Sequence, residues 1–286
     1  MGAQQVIIVT DSTADIAREV REELGIIMVP LKVHFGHEVY EDAVTIESDE
    51  FFTKLIASDV LPTTSQPSPA DFMAVYDRLL KEHPGAAIIS LHLSSALSGT
   101  YQSALLATSL QEQEGDITVI DSKMASYGYG IAVVKAARMA REGAGKEEIL
   151  AEIARLRQDI RLYFLVDTLE YLQKGGRIGK AAALFGSILN IKPILTVDNE
   201  GMVAAVDKVR GQRKAMARMM ELLKQDFDGV PVHIMMASAH HEGNAAELLE
   251  LAKAHFDVRE VGFTKLGAVI GTHVGPGAAA IFMSRA

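Results

Sequence analysis

The chain contains no cysteine, which removes disulfides, thiolate nucleophiles and cysteine-based metal sites from consideration and fits a reducing compartment. A basic surplus is also missing: 28 Lys and Arg against 37 Asp and Glu leave a formal net charge of −9. Non-specific nucleic-acid binding needs basic surface to displace counterions, and anionic membranes attract the same sign, so both are disfavoured. No apolar run approaches the roughly 20 residues that cross a bilayer. The opening MGAQQVIIVTDST has no basic segment before its apolar run, so a secretory signal is not expected. Met1-Gly2 is followed by Val6 where myristoylation wants Ser or Thr. The expectation is a soluble cytoplasmic protein, not an integral membrane one.

The familiar catalytic and nucleotide signatures are missing too. The nearest approach to a phosphate-binding G-x-x-x-x-G-K-[ST] loop puts Lys174 at the first glycine and Ala181 at the final hydroxyl. Gly128-Tyr129-Gly130 begins like a dinucleotide fingerprint, but Val133 holds the third glycine position. Ala96-Leu97-Ser98-Gly99-Thr100 lacks both outer glycines of a serine-hydrolase elbow, so Ser98 reads as a helix N-cap or ligand contact. The nine histidines form no HExxH pattern. His34 and His37 stand three apart and His240-His241 is a bare dipeptide, so solvated or capping roles are expected and no metal is implied.

What is present is ample apolar material. Of 286 residues, 49% are hydrophobic and 23% charged, enough for one large or two ordinary α/β domains. Short β-branched runs at Val6–Thr10, Ile26–Val33, Ala86–Leu91 and Ile117–Ile120 alternate with helical patterns. Those patterns lie at Asp49–Ser58, Pro69–Lys81, Ser98–Gln111 and Met124–Arg141, and Ser12 with Asp15 is spaced like a capping box. Such alternation implies a parallel sheet covered on both faces. A helix over Lys146–Arg157 then leads to strands at Leu162–Val166, Ile194–Val197, Met202–Val209, Val232–Met236, Val258–Phe263 and Ala279–Met283, with helices at Arg213–Asp226 and Gly243–His255. We place a domain boundary near residue 158: residues 1–158 form an α/β domain with a mostly parallel sheet flanked by helices. Residues 159–286 form a second α/β domain with a mixed sheet and helices.

Ligands of open α/β sheets bind beyond the carboxyl ends of the strands. At or near such ends lie Asp11-Ser12-Thr13, Ser94-Ser95 with Ser98-Gly99-Thr100, and Asp121-Ser122; Thr63–Pro69 precedes a helix. Hydroxyls and helix N-termini together suit an anion. His273 falls in a glycine-rich segment, Gly271–Gly277, read as a loop, where it either contacts an anion or is simply held in a turn. Arg177, beyond Gly175-Gly176, is an anion contact or an ordinary surface charge. Leu184–Leu195 is almost wholly apolar and reads as core, with a cavity lining as the alternative.

These segments together resemble the DegV family. The matching pieces are TDST (Thr10–Thr13), TSQPSP (Thr64–Pro69), SSALSGTYQSA (Ser94–Ala104), Asp121-Ser122, GYG (Gly128–Gly130), LEYLQKGGRI (Leu169–Ile178), IKPIL (Ile191–Leu195), VRG (Val209–Gly211) and GTHVGPG (Gly271–Gly277). They follow family order over nearly the whole chain. The resemblance implies two α/β domains and one long-chain fatty acid, buried between them or within the first. Its carboxylate would be held by Thr64 and Ser95, with Thr63, Ser65 and Ser94 as close alternatives, and His273 beside it. Arg177 and Arg210 would serve acyl-phosphate handling or docking of a partner kinase. The family is similar to the binding subunit of bacterial fatty acid kinase, whose separate ATP-using protein phosphorylates the bound carboxylate. The chain itself would need no cofactor and catalyse nothing. The competing expectation is an α/β enzyme on a small phosphorylated or carboxylated metabolite, with His273 as acid/base.

Overall fold

The computed structural model describes residues 4–111, 114–186 and 191–286. In chain order the first half runs β1 (Val6–Asp11), α1 (Arg18–Leu24), β2 (Ile27–Val29), β3 (Lys32–Phe35), β4 (Glu38–Glu41), α2 (Ser48–Ala57), β5 (Thr63–Ser65), α3 (Pro69–Glu82), β6 (Ala87–His92), α4 (Thr100–Leu110), β7 (Asp116–Asp121), α5 (Tyr127–Arg141) and α6 (Lys146–Asp159). The second half runs β8 (Arg161–Leu165), α7 (Glu170–Lys174), β9 (Ile191–Val197), β10 (Val203–Arg210), α8 (Gln212–Phe227), β11 (Pro231–Ser238), α9 (Gly243–His255), β12 (Asp257–Lys265), α10 (Ala268–Val274) and β13 (Ala279–Arg285).

The first sheet is parallel throughout, in the order β2-β1-β6-β7. A strand covered on both faces must be apolar on both, and β1 and β6 are buried at every position. Ile7, Val9 and Ile88 turn toward Phe72 and Tyr76 of α3, while Val6, Ile8 and Ile89 turn the other way, toward Tyr129 and Val133 of α5. The second domain carries a mixed six-stranded sheet, β10-β9-β8-β13-β11-β12, in which only β11 and β12 run parallel. Period-two alternation divides β13 cleanly. Ala279, Ile281 and Met283 pack on the methionine-rich face of α8 and on α9, whereas Ala280 and Phe282 join the cluster of the first domain. That second face, with Leu162 and Phe164 of β8, therefore faces the first domain across a shared apolar interface.

Several local expectations are corrected. The run Ile26–Val33 is two strands: β2 belongs to the parallel sheet, and β3 to a separate antiparallel sheet ordered β4-β3-β5. Pro30, which has no N–H to continue a ladder, sits at the break. Ser12 and Asp15 form no capping box. Asp11 accepts from the Thr13 N–H, a single 3-10 turn spans Ser12–Ala14, and Asp15 ends it at φ 51°. The box forms instead between Ser68 and Asp71 at the start of α3. The helix expected from Met124 starts at Tyr127, because Ser126 is held at φ 54°. Thr63–Ser65, the start of the polar segment before α3, forms strand β5. The glycine-rich segment is half helical: Gly271–Val274 complete α10, with the Thr272 hydroxyl donating to Ala268 O at 2.8 Å. Of the apolar stretch Leu184–Leu195, residues 187–190 lie outside the described residues. Leu195 is buried core, and Pro193 pairs with Lys208 in the β9–β10 ladder.

Candidate functional site

A cavity of about 360 Å³ opens between the domains, within the range of roughly 300–1,000 Å³ typical of small-molecule sites. On one side it is walled by Leu31, Leu93 and Ala125, which follow β2, β6 and β7, so it lies beyond the carboxyl ends of the parallel strands. Opposite stand Leu162 and Phe164 of β8, Phe282 of β13 and Ile270 of α10. Most of its surface is apolar side chain.

Most of its polar residues are fixed by hydrogen bonds to other segments. Thr64 Oγ1 lies 2.9 Å from His273 Nε2, joining residues 209 positions apart. Ser65 Oγ lies 2.9 Å from His34 Nε2. Gln66 accepts from the Gly99 N–H at 3.0 Å and donates to Ser103 Oγ at 3.2 Å, tying β5 to the start of α4. Arg177 Nε donates to Leu97 O at 3.0 Å and Nη1 to Gly175 O at 2.7 Å, next to Ser98. Thr64, Ser65, Gln66, Ser98, Arg177 and His273 all line the cavity.

His273 is held neutral. Burial pushes its imidazole down to about 4, and the Arg177 charge pushes the same way. Its Nδ1 is buried without a hydrogen-bond partner among the described residues. A buried N–H without an acceptor is costlier than a lone pair without a donor, so the proton belongs on Nε2. In that tautomer Nε2–H donates to Thr64 Oγ1, and the Thr64 hydroxyl proton is free to reach an acceptor. A cation, a free hydroxyl proton and apolar walls suit a molecule with one anionic end and a hydrocarbon body.

The other expected contacts sit elsewhere. Thr63 is exposed on β5, its backbone paired with His34. Ser94 is buried and donates to Gly201 O at 2.8 Å, fastening the first domain to the Asp198–Met202 turn of the second. Ser95 Oγ donates to Asp121 and accepts from Lys123 Nζ at 3.0 Å, linking the ends of β6 and β7. Neither Ser94 nor Ser95 borders the cavity. Arg210 ends β10 on the exposed surface, away from the cavity wall. Ser98, three residues beyond Ser95, is the serine-loop residue that does reach the wall, and Gln66 was legible only as part of the TSQPSP string.

One further arrangement copies a catalytic triad without its function. His92 Nδ1 lies 3.0 Å from Asp11 Oδ2 and Nε2 lies 2.7 Å from Ser90 Oγ, but Tyr76 OH also donates to that hydroxyl at 2.8 Å. All three triad members are at most 1% exposed, so no substrate can reach Ser90. Burial pushes the Asp11 carboxyl up, but bonds from His92, Thr13 and Tyr129 outweigh it and hold it below its usual value. The network closes the core of the first domain. Among the described residues no group of three or more His, Asp or Glu is placed to hold a metal ion, and no helix is long and apolar enough to cross a membrane.

Comparison with known proteins agrees with this architecture. Protein DegV of Bacillus subtilis (strain 168) is 38% identical over 278 residues, covering 96% of this chain and 98% of its own. A solved DegV family protein from Thermus thermophilus, described as binding fatty acid, superposes with a TM-score of 0.91 at 39% identity, covering 99% of this chain and 100% of that one. The crystal structure of DegV from Bacillus subtilis, described as a fatty acid binding protein, gives a TM-score of 0.89 at 37% identity over 99% of this chain and 100% of that one. The family model described as "Uncharacterised protein, DegV family" matches residues 5–286, and the chain therefore belongs to the DegV family.

Proposed function

We propose that this chain binds a single long-chain fatty acid in the interdomain cavity and presents its carboxylate to a separate fatty acid kinase in the cytoplasm. The Thr64–His273 pair, on the wall of a mostly apolar cavity, carries the reading. In our assignment the Thr64 hydroxyl donates to the carboxylate, Ser65 and Ser98 lie within its surroundings, and Arg177 supplies the balancing charge. Thr63, Ser94 and Ser95 support the loops around it, and Arg210 is left for contact with the kinase. The likeness to DegV proteins described as binding fatty acid supports the ligand class.

Burying a chain of about 15 methylenes at ~0.8 kcal/mol each contributes on the order of 12 kcal/mol gross. Lost ligand and side-chain freedom takes back several of these, leaving nanomolar to micromolar affinity. Affinity then comes from the hydrocarbon, and the polar cluster has only to orient one carboxylate. No nucleotide loop is needed, because the phosphate donor is bound by the partner. The metabolite-enzyme reading fits less well: an imidazole pushed down to about 4 is a weak base at neutral pH.

Native mass spectrometry of the purified protein, followed by organic extraction, tests the proposal. One long-chain fatty acid per chain is expected. A chain that emerges empty and takes up no added oleate would overturn it.

A further inference from the structure

Helix α10 brings His273 and Ile270 to the cavity, yet what grips its first turn comes from the other domain. The Gly267 N–H donates to Asp15 Oδ1 at 2.9 Å and the Ala268 N–H to Asp42 Oδ1 at 2.8 Å. Asp15 follows β1 and Asp42 follows β4, 252 and 226 positions from their partners. Around them the junction is stitched further. Ser126 donates to the second oxygen of Asp15, Thr264 to the Asp15 carbonyl, and Ser48 to Leu266 O at 2.7 Å.

The two carboxyls crowd one place. A β-carbon on Gly267 would lie 2.8 Å from Asp15 Oδ1 and 3.1 Å from Asp42 Oδ1. Asp15 is 7% exposed and Asp42 1%, and Asp42 Oδ2 has no hydrogen-bond partner among the described residues. Among the described residues no cation is bonded to either. Arg21 of α1 spends its Nε on Ile16 O, and Lys265 is paired with Asp49. The remaining facing groups are Asp11 of β1, Tyr129 of α5 and, along the outer groove, Arg18 paired with Glu47, Glu19 and Glu242.

We infer that Asp15 and Asp42 are positioning residues for the carboxylate end of the cavity: by gripping the first turn of α10 across the domain junction they fix His273 against Thr64. The inference rests on the proposed fatty-acid function for its physiological meaning, but its geometry is independent of the ligand. Two carboxyls in one dry place cannot both ionise without penalty. Burial pushes Asp42 up to about 6 and Asp15 well above the usual carboxylate range. The bonds from Gly267 and Ala268 themselves favour charged carboxyls, but burial outweighs them, so the buried arrangement is favoured while the pair is protonated and loosens as pH rises through about 6. Water can follow, because both carboxyls border a groove at the domain junction.

The test uses the full chain with ¹⁵N-labelled histidine. It combines NMR of the His273 ring nitrogens with stopped-flow release of cis-parinaric acid to phosphatidylcholine vesicles, between about pH 5 and 8. In the native chain, release should quicken roughly three- to tenfold across this range, and the His273 signals should shift with the same midpoint. Asp42→Asn keeps the acceptor for Ala268 but cannot ionise, so both profiles should flatten. Asp42→Ala removes the acceptor, so release should be fast at every pH. An Asp42→Asn profile identical to the native one would overturn the inference, as would His273 signals indifferent to Asp42→Ala. If no fatty acid binds at all, the functional proposal fails, while the His273 signals still decide the positioning role.

Discussion

Gly175 has no β-carbon because His273 occupies the space: a Cβ built there would lie 2.2 Å from the imidazole Nδ1. At φ −75° the backbone of Gly175 is open to any residue, so the glycine is required by the neighbouring ring and not by the turn. The first glycine of LEYLQKGGRI and the histidine of GTHVGPG are thus two halves of one contact. Gly175→Ala should push the imidazole off Thr64, lowering oleate affinity about tenfold (~1.4 kcal/mol) and destabilising the fold by roughly 1–3 kcal/mol from overpacking. Isothermal titration and urea unfolding measure the two effects. An alanine variant with native affinity would show that the imidazole position is immaterial.

The acid limb of the stability profile has two opposing contributions. His273 falls from 6.5 to about 4 on folding, so its contribution is fully present above 6.5 and is lost as pH falls through about 4. Asp42 rises from 3.8 to about 6, so its contribution is present below 3.8 and is lost as pH rises through about 6. Each is worth on the order of 3 kcal/mol, so these two contributions oppose one another between those values. Asp15 acts in the same sense as Asp42. Relative to the native chain, Asp42→Asn should lose stability and His273→Gln should gain it as pH falls from about 6 to about 4. Urea midpoints at several pH values check both; parallel profiles in all three proteins would contradict the assignment.

The alternation of strands and helices was legible because buried strands such as Val6–Thr10 are continuous apolar runs and the helices are amphipathic; Gly243–His255 matches end to end. What escaped was set from far along the chain. Gly271–Gly277 looks like a loop from its glycines, yet Asp15 and Asp42 hold the helix that contains its first half. The Gly271 position packs on protein, since a Cβ there would meet the Phe51 and Phe52 rings at 2.7 Å. At the site, Thr64 and His273 meet only through the fold, so local spacing left His273 open and the family resemblance paired it with the TSQPS hydroxyls. The string SSALSGT could not tell which serine faces the cavity, because Asp121, Lys123 and Gly201 engage Ser95 and Ser94 from other segments.

Arg177 offers a test of charge recognition separate from hydrocarbon burial. Its guanidinium is anchored to two backbone carbonyls, so it is held ready and not recruited. Arg177→Met keeps much of the stem and removes the charge. Affinity for oleate should fall about tenfold, while affinity for oleyl alcohol should stay within about twofold. Competition against a fluorescent fatty acid measures both. Equal losses for acid and alcohol would mean that Arg177 only shapes the wall.

Hydroxyls that line the cavity and hydroxyls that hold the loops should separate in their effects. Thr64→Ala removes the hydroxyl proton assigned to the carboxylate, and a bond to a charged group is worth roughly 1.5–3 kcal/mol. Oleate affinity should therefore fall about tenfold or more, with little change in the urea midpoint because Thr64 is half-buried. Ser94→Ala instead deprives Gly201 O of its donor at the domain junction. That should cost about 1–2 kcal/mol of stability and leave affinity within about twofold. Ser95→Ala removes one of the partners of Asp121, which keeps Lys123 at 2.7 Å, so both measurements should change little. A Ser95→Ala variant that folds normally and loses oleate would move the carboxylate from Thr64 to the serine loop.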